Sequence, residues 1–303
     1  MAKKSTNIAA SVHQRLLNKA KESFRPFNEL LQYFAIERFI YRLSKSPHAD
    51  HFILKGALML SAWFGPASRP TMDIDLLGKI DNQLDTITVV IKDACQVTVE
   101  PDGMSFDADT LEVARITEDA VYEGVRVRVR GSLGKALVSI QIDIGFGDVI
   151  VPNAGSVTYP AILDFPAPEL KGYTMESAIA EKFQAMVKLG VLNSRMKDFY
   201  DIWFLSRMSD FKGELLAEAI EKTFKKRKTP VTLEAALFEP SFGMDSDKNV
   251  QWRGFLRKTK LTGAPETFEE IVAAVKLFIE PLAVSIAEQK TFNVTWIAPG
   301  PWQ

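Results

Sequence analysis

The chain has 303 residues, 47% of them hydrophobic, and a formal net charge of −1 at pH 7. This is enough apolar material for a full core in two domains or one large one, and the near-zero charge excludes a global basic field for nucleic acid. The single cysteine, Cys95, excludes an internal disulfide and a cysteine-based metal site. The three histidines, His13, His48 and His51, lack zinc-site spacing.

Apolar residues at Ile8, Val12, Leu16, Leu17 and Ala20 repeat with a helical period over 7–22, after a basic stretch that no apolar run follows and that is therefore not read as a signal peptide. Arg25-Pro26 interrupts, and a second amphipathic helix is predicted over 28–43. Phe52-Ile53-Leu54 is too short for periodicity to decide between a strand and a helix entry. Lys55-Gly56 reads as a tight turn into a helix of about two turns, stopped near Gly65-Pro66. After Arg69-Pro70-Thr71-Met72, the run Asp73-Ile74-Asp75-Leu76 alternates as a strand. A helix is predicted over 83–97, then a strand, a turn and another strand over 104–120. Gly124-Val-Arg-Val-Arg-Val-Arg130 alternates strictly and is the clearest strand in the chain. A turn over 131–134 leads to its hairpin partner over 136–146, with Ile140, Ile142 and Ile144 on one face and Gln141 and Asp143 on the other. Pro152, Pro160, Pro166 and Pro168 mark a connector, with a domain boundary near 165 that divides the chain into 1–165 and 166–303. Thr174 is the N-cap of a helix over 175–189, and Asn193-Ser194 cap another over 195–208. Beyond 210 the chain reads as mostly helical, with a polar loop over 243–249 and a tail over 296–303. Lys276, Glu280 and Pro281 break the longest apolar stretch near the C-terminus. No membrane span is expected, and the protein reads as soluble and cytoplasmic.

Residues two apart on a strand share a face, so Asp73 and Asp75 sit side by side while Ile74 and Leu76 face the opposite layer. Two like charges that close repel unless a cation lies between them. Mg2+ takes oxygen ligands, commonly one or two carboxylates plus substrate phosphates, and the turn at Gly56 would offer backbone N–H groups to those phosphates. The same alternation arises on a merely solvated strand face, so the pattern alone leaves both readings open. Asp143 adds a third carboxylate on a neighbouring strand. Three carboxylates on a small mixed sheet suit nucleotidyl transfer: two hold Mg2+, and the third completes a second metal site or takes the proton of the attacking hydroxyl. Against this, Arg126, Arg128 and Arg130 stand opposite Asp143 and would pair with it across the hairpin. Asp148 reads as the start of a turn.

A second cluster comprises Glu176, Glu181, Lys182, Lys197, Asp198 and Asp201. Spacing alone gives a solvated helical stripe. The functional alternative has Lys182 meeting triphosphate oxygens, with Asp201 orienting it. Basic runs lie in the N-terminal region (Lys3, Lys4, Arg15, Lys19 and others), at Lys222, Lys225, Lys226, Arg227 and Lys228, and at Arg253, Arg257, Lys258 and Lys260. The second run, with Phe224, is either an RNA track or a solvated helix end. Trp252, Trp296 and Trp302 are candidates for base stacking, with helix–helix packing the expected fate of Trp252.

The ordered motifs Lys55-Gly56-Ala57-Leu58-Met59-Leu60, Arg69-Pro-Thr-Met-Asp73-Ile-Asp75, Gln141-Ile-Asp143-Ile-Gly145-Phe-Gly147-Asp148, Glu176 with Ala180-Glu181-Lys182-Phe183-Gln184-Ala185-Met186, and Asn193-Ser-Arg-Met-Lys197-Asp198-Phe-Tyr-Asp201-Ile-Trp203 resemble the AbiEii/AbiGii toxin family. These bacterial nucleotidyltransferase-like toxins include the MenT toxins. The resemblance runs from about residue 30 to 207 and continues more weakly to about 285. It implies an α+β fold: a polymerase-β-like nucleotidyltransferase domain with a small mixed sheet, joined to a helical C-terminal domain that completes the active site. It implies the toxin of a toxin–antitoxin pair acting in phage defence, with an antitoxin as partner, NTP as substrate and Mg2+ (or Mn2+) as cofactor. The acceptor hydroxyl would be the 3′ end of tRNA, and its modification would block translation. By the same resemblance, Asp73 and Asp75 correspond to the family's strand aspartates, Lys182 to its helix lysine and Asp201 to its downstream aspartate, with Lys197 and Asp198 in the same motif. Together with the strand reading, the expected metal ligands are Asp73, Asp75 and Asp143, and the expected catalytic set adds Lys182 and Asp201. Lys55, Gly56, Ala57, Arg69, Thr71, Lys182, Lys197 and Asp198 are expected to contact the nucleotide. Many members carry a second Gly, Ser or Thr after the first glycine; here Ala57 and Leu58 remove any hydroxyl contact while the backbone amides remain. The alternatives are transfer to a protein or small molecule, or a catalytically inactive protein that binds nucleotide or partner.

Overall fold

The computed structural model describes residues 7–65, 69–116 and 124–303. Lys3 and Lys4, Pro66 of the stop signal and residues 117–120 of the expected second strand lie outside them. The chain divides into two compact units: Met1–Gly147 with Gly155–Gly172, and Asp148–Ala154 with Tyr173–Gln303. The boundary expected near 165 falls within the second run of the first unit.

The first unit runs α1 (Ile8–Ser23), α2 (Phe27–Lys45), β1 (Phe52–Lys55), α3 (Ala57–Phe64), β2 (Asp73–Gly78), α4 (Leu84–Gln96), β3 (Met104–Ile116), β4 (Gly124–Leu133), β5 (Ala136–Phe146), β6 (Gly155–Thr158) and β7 (Glu169–Gly172). Its strands form one mixed sheet in the order β3-β4-β5-β2-β1-β7-β6. β2 is parallel to β5 and antiparallel to β1. The 52–54 run resolves as a strand: it is central, covered on both faces, and Phe52, Ile53 and Leu54 are all fully buried, which is why it lacks alternation. On β2, β4 and β5, by contrast, Ile74, Leu76, Val125, Val127, Ile140, Ile142 and Ile144 are buried while Asp73, Asp75, Arg126, Arg128, Ser139, Gln141 and Asp143 are not, the alternation ending on β2 at the buried Leu77. Helix α2 packs against β5 and α4, and its Phe34, Phe39 and Ile40 are fully buried, each such burial contributing about 1.5–3 kcal/mol.

Several expectations change. β3 is one strand through 104–116, not two. Its register slips between Asp107 and Glu112, where the Asp107 carboxylate accepts from the Asp109 N–H and the Thr110 hydroxyl donates to the Asp107 carbonyl; this local turn chemistry reads as a loop in sequence but is absorbed as a bulge. The β4–β5 turn is only Gly134-Lys135, since Leu133 pairs with Ala136; Gly134 supplies the positive φ of +61°. The proline-rich connector contains β6 and β7.

The 159–166 segment is held to α2 from within. The Ile162 N–H donates to the Glu37 carboxylate at 2.6 Å, and Arg38 donates to the Pro166 carbonyl at 2.7 Å. Glu37 and Arg38 are themselves a fully buried ion pair. Burial pushes the Glu37 carboxyl from its ordinary 4.5 up to about 7, against the opposing pull of Arg38 and of the Ile162 N–H. The folded state therefore binds the extra proton between these values. The stabilisation is full below 4.5 and is lost as pH rises through 7, on the order of 3 kcal/mol at about 1.4 kcal/mol per pH unit. Glu37→Gln should remove that slope: the melting difference between wild type and variant should shift against the wild type from pH 5 to pH 8, and a constant difference would refute it.

The second unit runs α5 (Met175–Leu189), α6 (Met196–Met208), β8 (Phe211–Lys212), α7 (Gly213–Lys226), α8 (Pro240–Met244), α9 (Ser246–Thr259), α10 (Phe268–Ala287) and β9 (Thr295–Trp296). Thr174 caps α5 as expected, accepting from the Ser177 N–H. Asn193 does not cap α6 directly; its side chain accepts from the Arg195 N–H, one position outside the helix. The polar 243–249 stretch is helical, because Asp245 caps α9. The 296–303 tail is packed: Trp296 is buried, and Trp302 stacks on Phe278 while donating to its carbonyl at 3.0 Å. With Trp252 also fully buried, these tryptophans form core rather than base-stacking surfaces. Among the described residues, no helix is long and apolar enough to cross a membrane.

Candidate active site

Strand register places the candidate carboxylates of the first unit. Asp75 is aligned with Lys55 on β1 and with Asp143 on β5; Asp73 is aligned with Gln141. Aligned residues on neighbouring strands share a face about 4.8 Å apart, and Asp73 lies about 7 Å along β2 from Asp75. Lys55, Asp73, Asp75, Gln141 and Asp143 thus share the accessible face of the sheet. Gly56 fixes this geometry. Its φ of 70° and ψ of −153° lie in a region open essentially to glycine, and a Cβ there would stand 2.0 Å from an Asp75 carboxylate oxygen. The bare backbone that opens α3 is therefore pressed against the Asp75 carboxylate; in the first turn of α3 the Met59 N–H already donates to the Gly56 carbonyl at 3.2 Å, while those of Ala57 and Leu58 stand ahead of the intrahelical ladder. Ala57 and Leu58 are buried, so only backbone from this turn can meet a ligand.

Asp143 is engaged by a different partner. Arg126 on β4 grips it with two hydrogen bonds of 2.8 Å, one to each carboxylate oxygen. The cross-strand pairing open in the sequence is formed by Arg126 alone; Arg128 reaches the Gln141 side-chain carbonyl at 3.3 Å. Among the described residues no three His, Cys, Asp or Glu side chains are grouped to hold a metal ion. The donor set that does fit a hard divalent cation is the Asp73–Asp75 pair, with remaining ligands from phosphate and water, a usual arrangement for Mg2+.

Two depressions open in this unit. One, of about 560 Å3, is lined by Asp73 with Gln32, Met72, Arg128, Ser139 and Gln141. The other, of about 440 Å3, is lined by Arg69 and Thr71 with Lys19, Arg25, Tyr33 and Tyr159. The structure thus places Arg69 and Thr71 on the wall of a different depression from Asp73.

The second unit carries its own charged cluster. Lys182 on α5 reaches Asp198 at 3.0 Å and Asp201 at 2.7 Å, both on α6, and Arg195 reaches Asp198 at 2.6 Å. Both carboxylates are fully buried, so this is not a solvated stripe. Burial alone would push Asp198 up, but Lys182 and Arg195 outweigh it and hold the carboxyl well below its usual range. Lys197 is exposed, and Asp201 faces Lys182 on the neighbouring helix. Lys248 steadies the turn before α6 by donating to the Val191 and Asn193 carbonyls. Arg195 carries an i,i+3 spacing to Asp198 that marks it in sequence; Lys248 has no such signal.

Glu181, Asp148 and Arg227 belong together. Arg227 pairs with Asp148 at 2.9 Å and Glu181 at 3.2 Å, and the Tyr173 hydroxyl donates to Glu181. Asp148 is therefore an interior ion-pair partner, not the start of a turn. Of the basic run at 222–228, read either as an RNA track or as a solvated helix end, Arg227 is drawn into this ion-pair cluster, Lys222 pairs with Glu218, and Phe224 is core.

A mixed-sheet unit that presses a glycine turn and a helix start against paired strand carboxylates offers donors that suit nucleotidyl transfer. The sequence matches the family described as nucleotidyl transferase AbiEii toxin, type IV toxin–antitoxin system, over residues 38–274, and the chain belongs to that family. It is thereby a nucleotidyltransferase of a toxin–antitoxin system, with an NTP substrate and an antitoxin counterpart. Its structure is similar to the crystal structure of JHP933 from Helicobacter pylori (15% identity, TM-score 0.45, covering 86% of this chain and 94% of that one). It is also similar to a second H. pylori structure whose name proposes a nucleotidyltransferase (16%, 0.44, 87% and 98%). No curated protein matches the chain.

Proposed function

We propose that this protein transfers a nucleotide from an NTP to the 3′-terminal hydroxyl of tRNA, with Mg2+ held by Asp73 and Asp75, and so blocks translation. The observation that carries this reading is the packing of the Asp75 carboxylate against Gly56 at the start of α3, which puts an oxygen ligand set beside backbone N–H donors suited to phosphate. In the reaction the acceptor oxygen bonds to the α-phosphorus as the bond from that phosphorus to the bridging oxygen breaks. Pyrophosphate leaves with the electron pair, and the hydroxyl proton passes to a carboxylate or to water. A bound divalent ion supplies charge neutralisation on the phosphates. Asp73 and Asp75 would hold that ion on the sheet face. Asp143 is the expected proton acceptor or further metal ligand. Lys182 neutralises charge on the triphosphate, with Asp201 as its positioning residue.

The test is incubation with total bacterial tRNA, Mg2+ and each NTP, labelled in turn on the α- and γ-phosphate. Label on tRNA from the α- but not the γ-position is expected. Label on a protein instead would move the acceptor to a side chain, and no label anywhere would leave only a nucleotide- or partner-binding protein.

A further inference from the structure

Asp143 lies directly beside Asp75 across parallel strands, where a third carboxylate would complete a site for two metal ions. Both of its oxygens are instead occupied by the Arg126 fork, and the Gln141 amide reaches one of them at 3.4 Å. We propose that Arg126 is a built-in cation that keeps Asp143 out of the metal-binding set. The resting protein then takes one divalent ion at Asp73 and Asp75, and admits a second only when Arg126 lets go. This rests on the reading that Asp73 and Asp75 bind metal.

The guanidinium matches the spacing of the two carboxylate oxygens, so it satisfies the donor atoms a second ion would need and places a positive charge where that ion would sit. The two cations exclude each other. Release of Arg126 needs no movement of the strand. Val125 and Val127 on either side are fully buried and fix the backbone, whereas the Arg126 and Asp143 side chains are 32% and 20% exposed, leaving the guanidinium room to turn toward solvent. Strand register sets the choice: Arg126 is directly opposite Asp143, whereas Arg128 is opposite Gln141 and makes two contacts of 3.3 Å to its side-chain carbonyl. The fork is particular to the one carboxylate aligned with Asp75. Arg126 is in these terms a positioning residue, acting through Asp143.

The experiment counts bound Mn2+ on the full chain, without NTP or acceptor, from the loss of the free-ion paramagnetic resonance signal. Wild type should bind one ion. Arg126→Gln and Arg126→Met should bind two, the second at least about tenfold tighter than any second event in wild type, the order expected for removing one charge at contact distance. Arg126→Lys, which keeps the charge, should remain at one, and Arg126→Gln combined with Asp143→Asn should return to one. The partly exposed pair makes little difference to folding, which a melting curve checks for each variant. One Asp73-dependent ion in wild type with unchanged binding in both Arg126→Gln and Arg126→Met overturns this inference alone. Wild-type binding that is absent, or identical in Asp73→Ala, overturns the metal reading and this inference together.

Discussion

Asp73→Ala should lower nucleotidyl transfer by about three orders of magnitude or more while leaving the melting temperature nearly unchanged. Loss of a metal-holding carboxylate removes several kcal/mol of transition-state stabilisation, at about 1.4 kcal/mol per tenfold in rate. The fold has little at stake, because Asp73 is the first residue of β2 and its side chain lies on the partly exposed face. A contact made by a partly exposed carboxylate is worth about 0–1 kcal/mol, so its loss moves the melting temperature little. Asp75 is the poorer choice: its carboxylate packs on Gly56, so truncation mixes a structural effect with a chemical one. Initial rates from α-labelled NTP beside a melting curve decide the matter, and an active Asp73→Ala protein would end the assignment.

Lys182→Ala should destabilise the second unit by about 3–5 kcal/mol, the usual cost of stripping one partner from a buried ion pair. The variant leaves Asp198 and Asp201 buried, with Arg195 alone holding Asp198. Four of the five tryptophans, Trp203, Trp252, Trp296 and Trp302, belong to this unit, so tryptophan fluorescence in a denaturant series reports on it. Lys182→Met combined with Asp201→Asn should cost less than the two changes summed, because the double variant no longer leaves Asp201 charged opposite a missing partner. Lost activity in Lys182→Ala is therefore ambiguous by itself. A variant that unfolds like wild type but transfers no nucleotide would assign the lysine wholly to the reaction.

What the sequence makes legible is local. Thr174 announces its helix because a cap acts three residues away. Ile140, Ile142 and Ile144 announce β5 because a half-covered strand repeats every two residues. Gly56, Asp73 and Asp75 stand out because turn and strand geometry are short-range and place them on one face of the sheet. The misses are non-local. Asp148 finds its cation 79 residues later, at Arg227, and nothing near Asp148 signals it. β6 and β7 are four residues each, hidden among prolines, and exist because β1 offers an edge to pair with. For Asp143 the sequence held both readings open, since alternation places Arg126 and the carboxylate on the same face without saying whether the pair forms. The buried state of Asp198 and Asp201 is equally silent, because the charge pattern of a helix does not reveal which side another helix covers.

The chain enters the helical unit twice, first as Asp148–Ala154 and again from Tyr173. That early heptapeptide carries the Asp148 partner of Arg227 and the Val151 backbone that bonds to Ser177 and Thr174. The helical part is consequently not a detachable module. Severing the chain between Gly172 and Tyr173 would strand its first seven residues on the other fragment and take Asp148 from Arg227, leaving that guanidinium with Glu181 and Gln184. Exchange of this part between related proteins would have to carry two separate stretches of sequence, so the two units are bound to be inherited as a pair.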